Sequence, residues 1–283
     1  MHKECIVTQT QPFNFWRNLL HIASYDTQKV LLQKRGIISL VCFTLVWLLI
    51  LAYPVKSAVE LMSIQGFKEF VYSFANASNA AELLNWDTPE FAVYWFFALY
   101  LFPMFSLVIT ADQFSSDRQR GTLRFFLLRT NRSSLFFGRF LAQMIIQGLL
   151  ILISIIATIV LIIYNQATSF SDVFITASLV WLALFINLLP YTALMSLLSL
   201  YANGARQASM LAVFYWVVLT IVIGILSFYV PQISLLELAK PGVQIPTMLN
   251  SSGISVLHQS LIPTFQTVVL LTLGCLYMQR RAL

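Results

Sequence analysis

The chain has 283 residues, of which 59% are hydrophobic and only 10% charged, with a formal net charge of +6 and a mean hydropathy of +0.79. The apolar share exceeds the roughly 45–50% of soluble domains, which excludes a water-soluble globule and predicts an integral membrane protein. The positive balance does not signal nucleic acid, because the basic residues are spread over short segments beside apolar runs, where anionic lipid accounts for them.

Taken in chain order, "MHKECIVTQTQPFNFWRN" lacks the apolar core of a cleavable leader. Residues 13–35 then place Trp16, Leu19, Leu20, Ala23, Thr27, Val30 and Leu31 at helical spacing, with Arg17, Asn18, His21, Ser24 and Gln28 on other faces. That pattern predicts a helix lying in the inner membrane interface. Windows of about 20 apolar residues can cross about 30 Å of hydrocarbon as helices. Six such windows occur, at 36–54, 91–111, 140–164, 172–201, 208–230 and 261–279. The fourth is longer than a bilayer requires, so it tilts or projects beyond the membrane.

The segment 55–90 is too long for a tight turn and is expected to hold a short helix, with Thr88-Pro89 starting the second span. A short connection at 165–171 makes the third and fourth spans antiparallel neighbours. "ANGARQ" at 202–207 is a turn broken by Asn203-Gly204. The stretch 231–260, cut by Pro231, Pro241-Gly242, Pro246 and Ser251-Ser252-Gly253, predicts short helices that cap or dip into the outer leaflet. Its "NSS" at 250–252, like "NAS" at 76–78, matches a glycosylation sequon too short to carry weight.

Orientation follows from charge. With both termini inside, 14 of the 17 basic residues lie on the inner side, and only Lys56, Lys68 and Lys240 lie outside. The bias selects an even number of spans with both ends in the cytosol.

The chemistry the chain lacks is equally informative. No GxxxxGK[ST] phosphate cradle, HExxH box or GxSxG elbow occurs. His2, His21 and His258 are scattered, and Cys5, Cys42 and Cys275 have no metal or redox spacing. Catalysis by this chain alone is not expected, and it is read as binding no cofactor itself. The central parts of the spans hold no carboxylate or basic group of the kind that carries coupling ions. Their polar inventory is Gln143, Gln147, Asn187 and a few hydroxyls. Asn187 beside Pro190 has two readings, a kink whose freed carbonyl is satisfied locally or a lining of the pathway, and Pro103 has the same two.

One stretch breaks the apolar pattern: "DQFSSDRQRGTLRFFLLRTNRSSLFFGR", residues 112–139. Inserting its eight charges at mid-membrane costs about 2.5–3.5 kcal/mol each, or more than about 20 kcal/mol together, so it lies outside the hydrocarbon. Ser116 and Gln119 have capping-box spacing, and Gly121-Thr122 either continues that helix or restarts it. Leu123, Phe126 and Leu127 form an i, i+3, i+4 stripe flanked by Arg120, Arg124 and Arg129. A face of this kind suits a groove on a partner or the membrane surface.

These residues resemble the signature of ABC-2 type permeases, the membrane subunits of one class of ATP-binding-cassette transporters. The signature runs from an acidic residue ending the second span through a Glu-basic pair, Gly-Thr-Leu, Leu-Leu, a Pro with Ser-Arg close behind, and Gly-Lys. Here stand Asp112, Asp117-Arg118, Gly121-Thr122-Leu123, Leu127-Leu128, Arg132-Ser133 and Gly138-Arg139. The departures are Asp117 for Glu, Thr130 for Pro and Arg139 for Lys. The resemblance implies an all-α, six-span permease of the cytoplasmic membrane of a prokaryotic cell, with residues 112–139 forming a coupling helix.

By the same resemblance Asp117, Arg118, Arg120, Gly121, Thr122, Leu123, Arg124, Phe126 and Leu127 make or shape the contact with an ATPase. Asp26, Lys34 and Arg35 mark a secondary contact. ATP and magnesium belong to that partner, present in two copies with a second copy of the permease, and accessory proteins outside are compatible. The second and fifth spans are expected to line the pathway, with Pro103, Gln147, Asn187 and Pro190 as pathway or kink residues. Export is the implied direction. Two other classes stand as alternatives, a membrane scaffold that recruits a cytosolic partner and an ATP-independent carrier.

Overall fold

The computed structural model describes residues 15–58, 88–128, 130–164, 170–229, 237–249 and 259–280, with isolated positions between 60 and 86. The expected short helix within 55–90, the 165–171 connection, both sequons, and His2, His258 and Cys5 lie wholly or largely outside the described residues. The described residues are helical, with no strand among them.

Helix α1 spans Phe15–Leu32 and α2 spans Lys34–Ile50, continued by a wider π turn over Leu51–Val55 that takes up Pro54. Then come α3 (Pro89–Thr110), α4 (Ser115–Gln119), α5 (Leu123–Leu127), α6 (Arg132–Tyr164), α7 (Phe170–Tyr201), α8 (Ala205–Tyr229), α9 (Ile245–Leu249) and α10 (Leu261–Arg280). Six helices are long and apolar enough to cross a membrane: α2 with its π turn, α3, α6, α7, α8 and α10. At 1.5 Å per residue, the 33-residue α6 and 32-residue α7 run about 48–50 Å, well past the hydrocarbon thickness.

Long apolar runs make these helices, but interdigitation holds them, since lipid competes for apolar surface as well as protein does. Trp47 of α2 packs between Tyr94 and Phe102 of α3, each ring 5.1 Å away, and Phe43 lies 4.7 Å from Phe105. Polar side chains close the same interfaces. Tyr94 Oη and Ser154 Oγ lie 2.7 Å apart. Gln147 Nε2 donates to Ser106 Oγ at 2.9 Å, and Thr192 Oγ1 donates to Gln147 Oε1 at 3.1 Å, tying α3, α6 and α7 together.

At the end opposite α4 and α5, residues 237–249 fold back among the helices. Tyr215 Oη, halfway along α8, donates to the Ala239 carbonyl at 2.8 Å, and Gln244 Nε2 donates to Asn187 Oδ1 near the middle of α7 at 2.8 Å. Non-helical backbone at such depth needs partners. Gln266 Nε2 supplies two of them, reaching the Leu238 and Lys240 carbonyls at 2.7 and 3.0 Å. Gly242, at φ +86°, turns this segment directly against the Tyr191 hydroxyl.

Candidate functional site: the arginine-bearing end of the bundle

Residues 111–131 leave the end of α3, make two short helices and return into α6. The break between α4 and α5 follows from local chemistry. Gly121 has φ +71°, a left-handed conformation that glycine adopts without a Cβ penalty. Its N–H donates to the Arg118 carbonyl at 3.1 Å, and the Thr122 N–H donates to the Asp117 carbonyl at 3.0 Å. This pair of bonds is a Schellman ending, in which glycine at the left-handed position lets the last carbonyls of the helix find donors. Gly-Thr-Leu therefore stops one helix and starts another, and Leu123 enters the core at 3% exposure.

The inward faces of α4 and α5 are occupied by the protein itself. Leu123 joins Phe114, Leu135, Phe136, Leu200 and Met278 in one apolar cluster, with Phe126 and Leu127 packed against it. Of the stripe expected to meet a partner or the membrane surface, Leu123 is thus buried and Phe126 and Leu127 are half-buried against the protein. The exposed large apolar side chains are Phe125 and Leu128, at 71% and 79%. They escaped the sequence reading because an i, i+3 pair on the other side of so short a helix is outvoted by the longer stripe.

Arginines divide in the same way. Arg118 Nη1 donates to the Leu200 and Tyr201 carbonyls at 2.8 and 2.6 Å, closing the C-terminus of α7. Arg132 Nη1 does the same for α10 through the Met278 and Gln279 carbonyls, at 3.2 and 2.9 Å. The terminal carbonyls of a helix lack intrahelical donors and carry the negative end of its dipole, so a guanidinium there is favourable on both counts. Arg120 and Gly121 are exposed, and the side chains of Arg35, Arg124 and Arg129 lie outside the described set.

Arg139, about two turns into α6, is 2% exposed. Its Nε lies 3.2 Å from Asp26 Oδ2 of α1, and its Nη2 pairs with Asp117 Oδ2 of α4. Nη1 donates to the Gln113 carbonyl at 2.7 Å. The Phe114 and Phe126 rings cover the guanidinium, with centroids 5.0 and 5.5 Å away. Lys29 Nζ stands 3.5 Å from Asp117 Oδ1, and the Thr122 hydroxyl donates to the same oxygen at 3.2 Å. Two carboxylates and two cations thus neutralise one another, as buried charge requires. Burial pushes the Asp26 carboxyl above its ordinary range, Arg139 and Lys29 oppose that shift, and Asp117 reinforces it.

Gly138 makes the approach of α1 possible, since a Cβ there would meet Ile22 at 3.0 Å and the Leu19 carbonyl at 3.1 Å. Asp26 is therefore turned inward. Lys34, at the start of α2, is exposed. A mostly apolar cavity of about 620 Å³ opens between α1 and α5, lined by Ile22, Tyr25, Phe125 and Leu128 and reaching Asp26 and Arg139 of the cluster.

Of the expected pathway or kink residues, Pro103 and Pro190 sit inside unbroken helices, and Gln147 and Asn187 are buried with partners inside the chain. The structure brings Asp26, Asp117, Thr122 and Arg139 together. It keeps the four pathway residues away from that cluster, along α3, α6 and α7.

No curated protein matches the chain. Residues 20–278, nearly the whole length, match the family described as "ABC-2 family transporter protein". With six membrane-crossing helices and the Gly-Thr-Leu break laid out above, the chain belongs to the ABC-2 family of transporter proteins, as a membrane permease.

Proposed function

We propose that this permease is the membrane half of an exporter, working as a two-fold dimer with two copies of a separate ATPase that docks on α4 and α5. The observation that carries the reading is the exposed set left after the inward residues are accounted for: Arg120, Gly121, Phe125 and Leu128, beside the open cavity against α1. Exposed aromatic, aliphatic and arginine side chains form the energetic centre of docking surfaces. The charge bias supports a cytosolic position for that end, where ATP is available. Asp117, Thr122 and Leu123 shape the surface from within and do not face the partner.

Helix α8 supports the dimer. Met210, Val213, Phe214, Val217, Ile221 and Ile225 form an exposed apolar face along it, and a two-fold axis beside this face puts the pathway between protomers. In α3 the run from Phe91 to Phe96 is buried, and only Met104 and Val108 of its other half are strongly exposed. ATP binding draws the ATPases together, and the displacement passes through α4 and α5 to tilt the spans.

The deciding experiment is purification of the tagged chain from its native membrane. An ATPase with a phosphate-binding loop is expected to accompany it, and its ATP hydrolysis is expected to change on reconstitution with the permease. A chain that purifies with no such subunit, or transport that continues without one, overturns the reading. Reversing Arg120 to Glu together with Gly121→Val is expected to lower ATPase retention at least tenfold while membrane insertion stays normal. Retention at the wild-type level would remove Arg120 and Gly121 from the contact.

A further inference from the structure

We propose that Arg139 is a positioning residue for transport, the joint that makes α1 move with the ATPase-docking helices. The inference rests on the permease reading above and adds the route by which α1 is driven. One guanidinium reaches from α6 to Asp26 on α1, Asp117 on α4 and the Gln113 carbonyl in the turn after α3, between the rings of Phe114 and Phe126. A push on the exposed side of α5 reaches α1 through this point, while Arg118 carries a separate tie to the end of α7.

The apolar contacts around it can slide, because dispersion is weak per atom pair and has no fixed direction. The guanidinium, hydrogen-bonded to Asp117 and the Gln113 carbonyl and ion-paired with Asp26 at 3.2 Å, cannot shift without breaking a charge-assisted bond or separating opposite charges. Lys29 adds a second polar tie from α1 to α4 through Asp117, and it is longer and more exposed. Besides Asp26, Lys29, Asp117, Thr122 and the Gln113 carbonyl, the charged Asp112 and Arg120 line the pocket at the joint. Lysine, the residue of the family signature at position 139, keeps the charge but cannot reproduce in this chain the planar geometry that arginine presents to two carboxylates and a carbonyl.

The arrangement gives two variants with different meanings. Asp26→Asn removes the charge of the α1 arm and leaves Arg139 paired with Asp117, so α4 and α5 keep their seat. Arg139→Lys keeps the charge and loses the fork. Both can be compared with wild type in the permease–ATPase complex in nanodiscs, by hydrogen–deuterium exchange of residues 15–32 and 115–127 with and without ATP and vanadate.

In wild type, nucleotide is expected to change exchange in both segments. In Asp26→Asn the change in 115–127 persists and that in 15–32 is lost, and Arg139→Lys behaves likewise. A purely structural role predicts a lower melting temperature with the nucleotide response of α1 intact, and that result overturns the inference. So does a wild-type complex in which α1 never responds to nucleotide. Failure of wild type to retain any ATPase sinks the permease reading itself and the inference with it.

Discussion

Arg139→Leu is expected to deplete the folded protein, measured as the monodisperse fraction surviving detergent extraction and a heating series. The change leaves Asp26 and Asp117 buried opposite an alkyl chain, with Lys29 as the sole remaining cation of the cluster. Breaking a buried pair by removing one partner costs about 3–5 kcal/mol, because the orphaned charge stays out of water. That is a large part of the roughly 5–15 kcal/mol typical of a folded domain. Removing the three buried charges together should behave differently, because only the partly exposed Lys29 keeps its charge. The triple variant Asp26→Asn, Asp117→Asn, Arg139→Leu removes the uncompensated charge and is expected to recover much of the lost stability. A triple variant no better than the single would mean that packing around Arg139, and not its charge, holds this corner.

The second large effect lies at the other end of the bundle. Gly242→Ala places a Cβ about 1.9 Å from Tyr191 Oη, at a backbone φ of +86°. Left-handed backbone costs a non-glycine residue roughly 1–2 kcal/mol, and the clash with a buried tyrosine adds to it. The segment 237–249 must then move, and the bond from Gln244 to Asn187 goes with it. A melting point lowered by several degrees is expected, together with new reactivity toward a thiol reagent at Gln244→Cys in a chain whose native Cys5, Cys42 and Cys275 have been replaced. Adding Tyr191→Phe removes the hydroxyl and leaves the ring carbon at 3.0 Å, so part of the loss should return. Wild-type behaviour of Gly242→Ala would show that the segment has slack.

How much of this was legible beforehand depends on the range of the interaction. The apolar windows exposed the six spans, because any sufficiently long apolar helix satisfies its own backbone and needs no knowledge of neighbours. Gly121-Thr122 was read as either continuing the helix or restarting it, and the structure shows the restart, while the residues from Asp112 to Arg139 were enough to suggest the family. The partners of the arginines were not. Arg118 was read as part of an ATPase contact and Arg132 only as part of the signature, yet each closes a helix more than eighty residues away. Leu123, Phe126 and Leu127 were read as a face for a partner or the membrane surface; Leu123 is buried and the other two half-buried, while Phe125 and Leu128 carry most of the exposure.

Asp26 shows the same limit most sharply. Its position before a basic pair suggested an outward contact, but only the close approach of α1 at Gly138 reveals that the carboxylate meets Arg139. The sequence alone determined where the chain can leave water, where its helices must break and how its charge is biased, because these follow from solvation and backbone conformation one segment at a time. Tertiary structure alone decided which arginines hold the bundle together and which remain for a partner, because a guanidinium takes whichever acceptor folding brings within about 3 Å, and no local pattern records that choice.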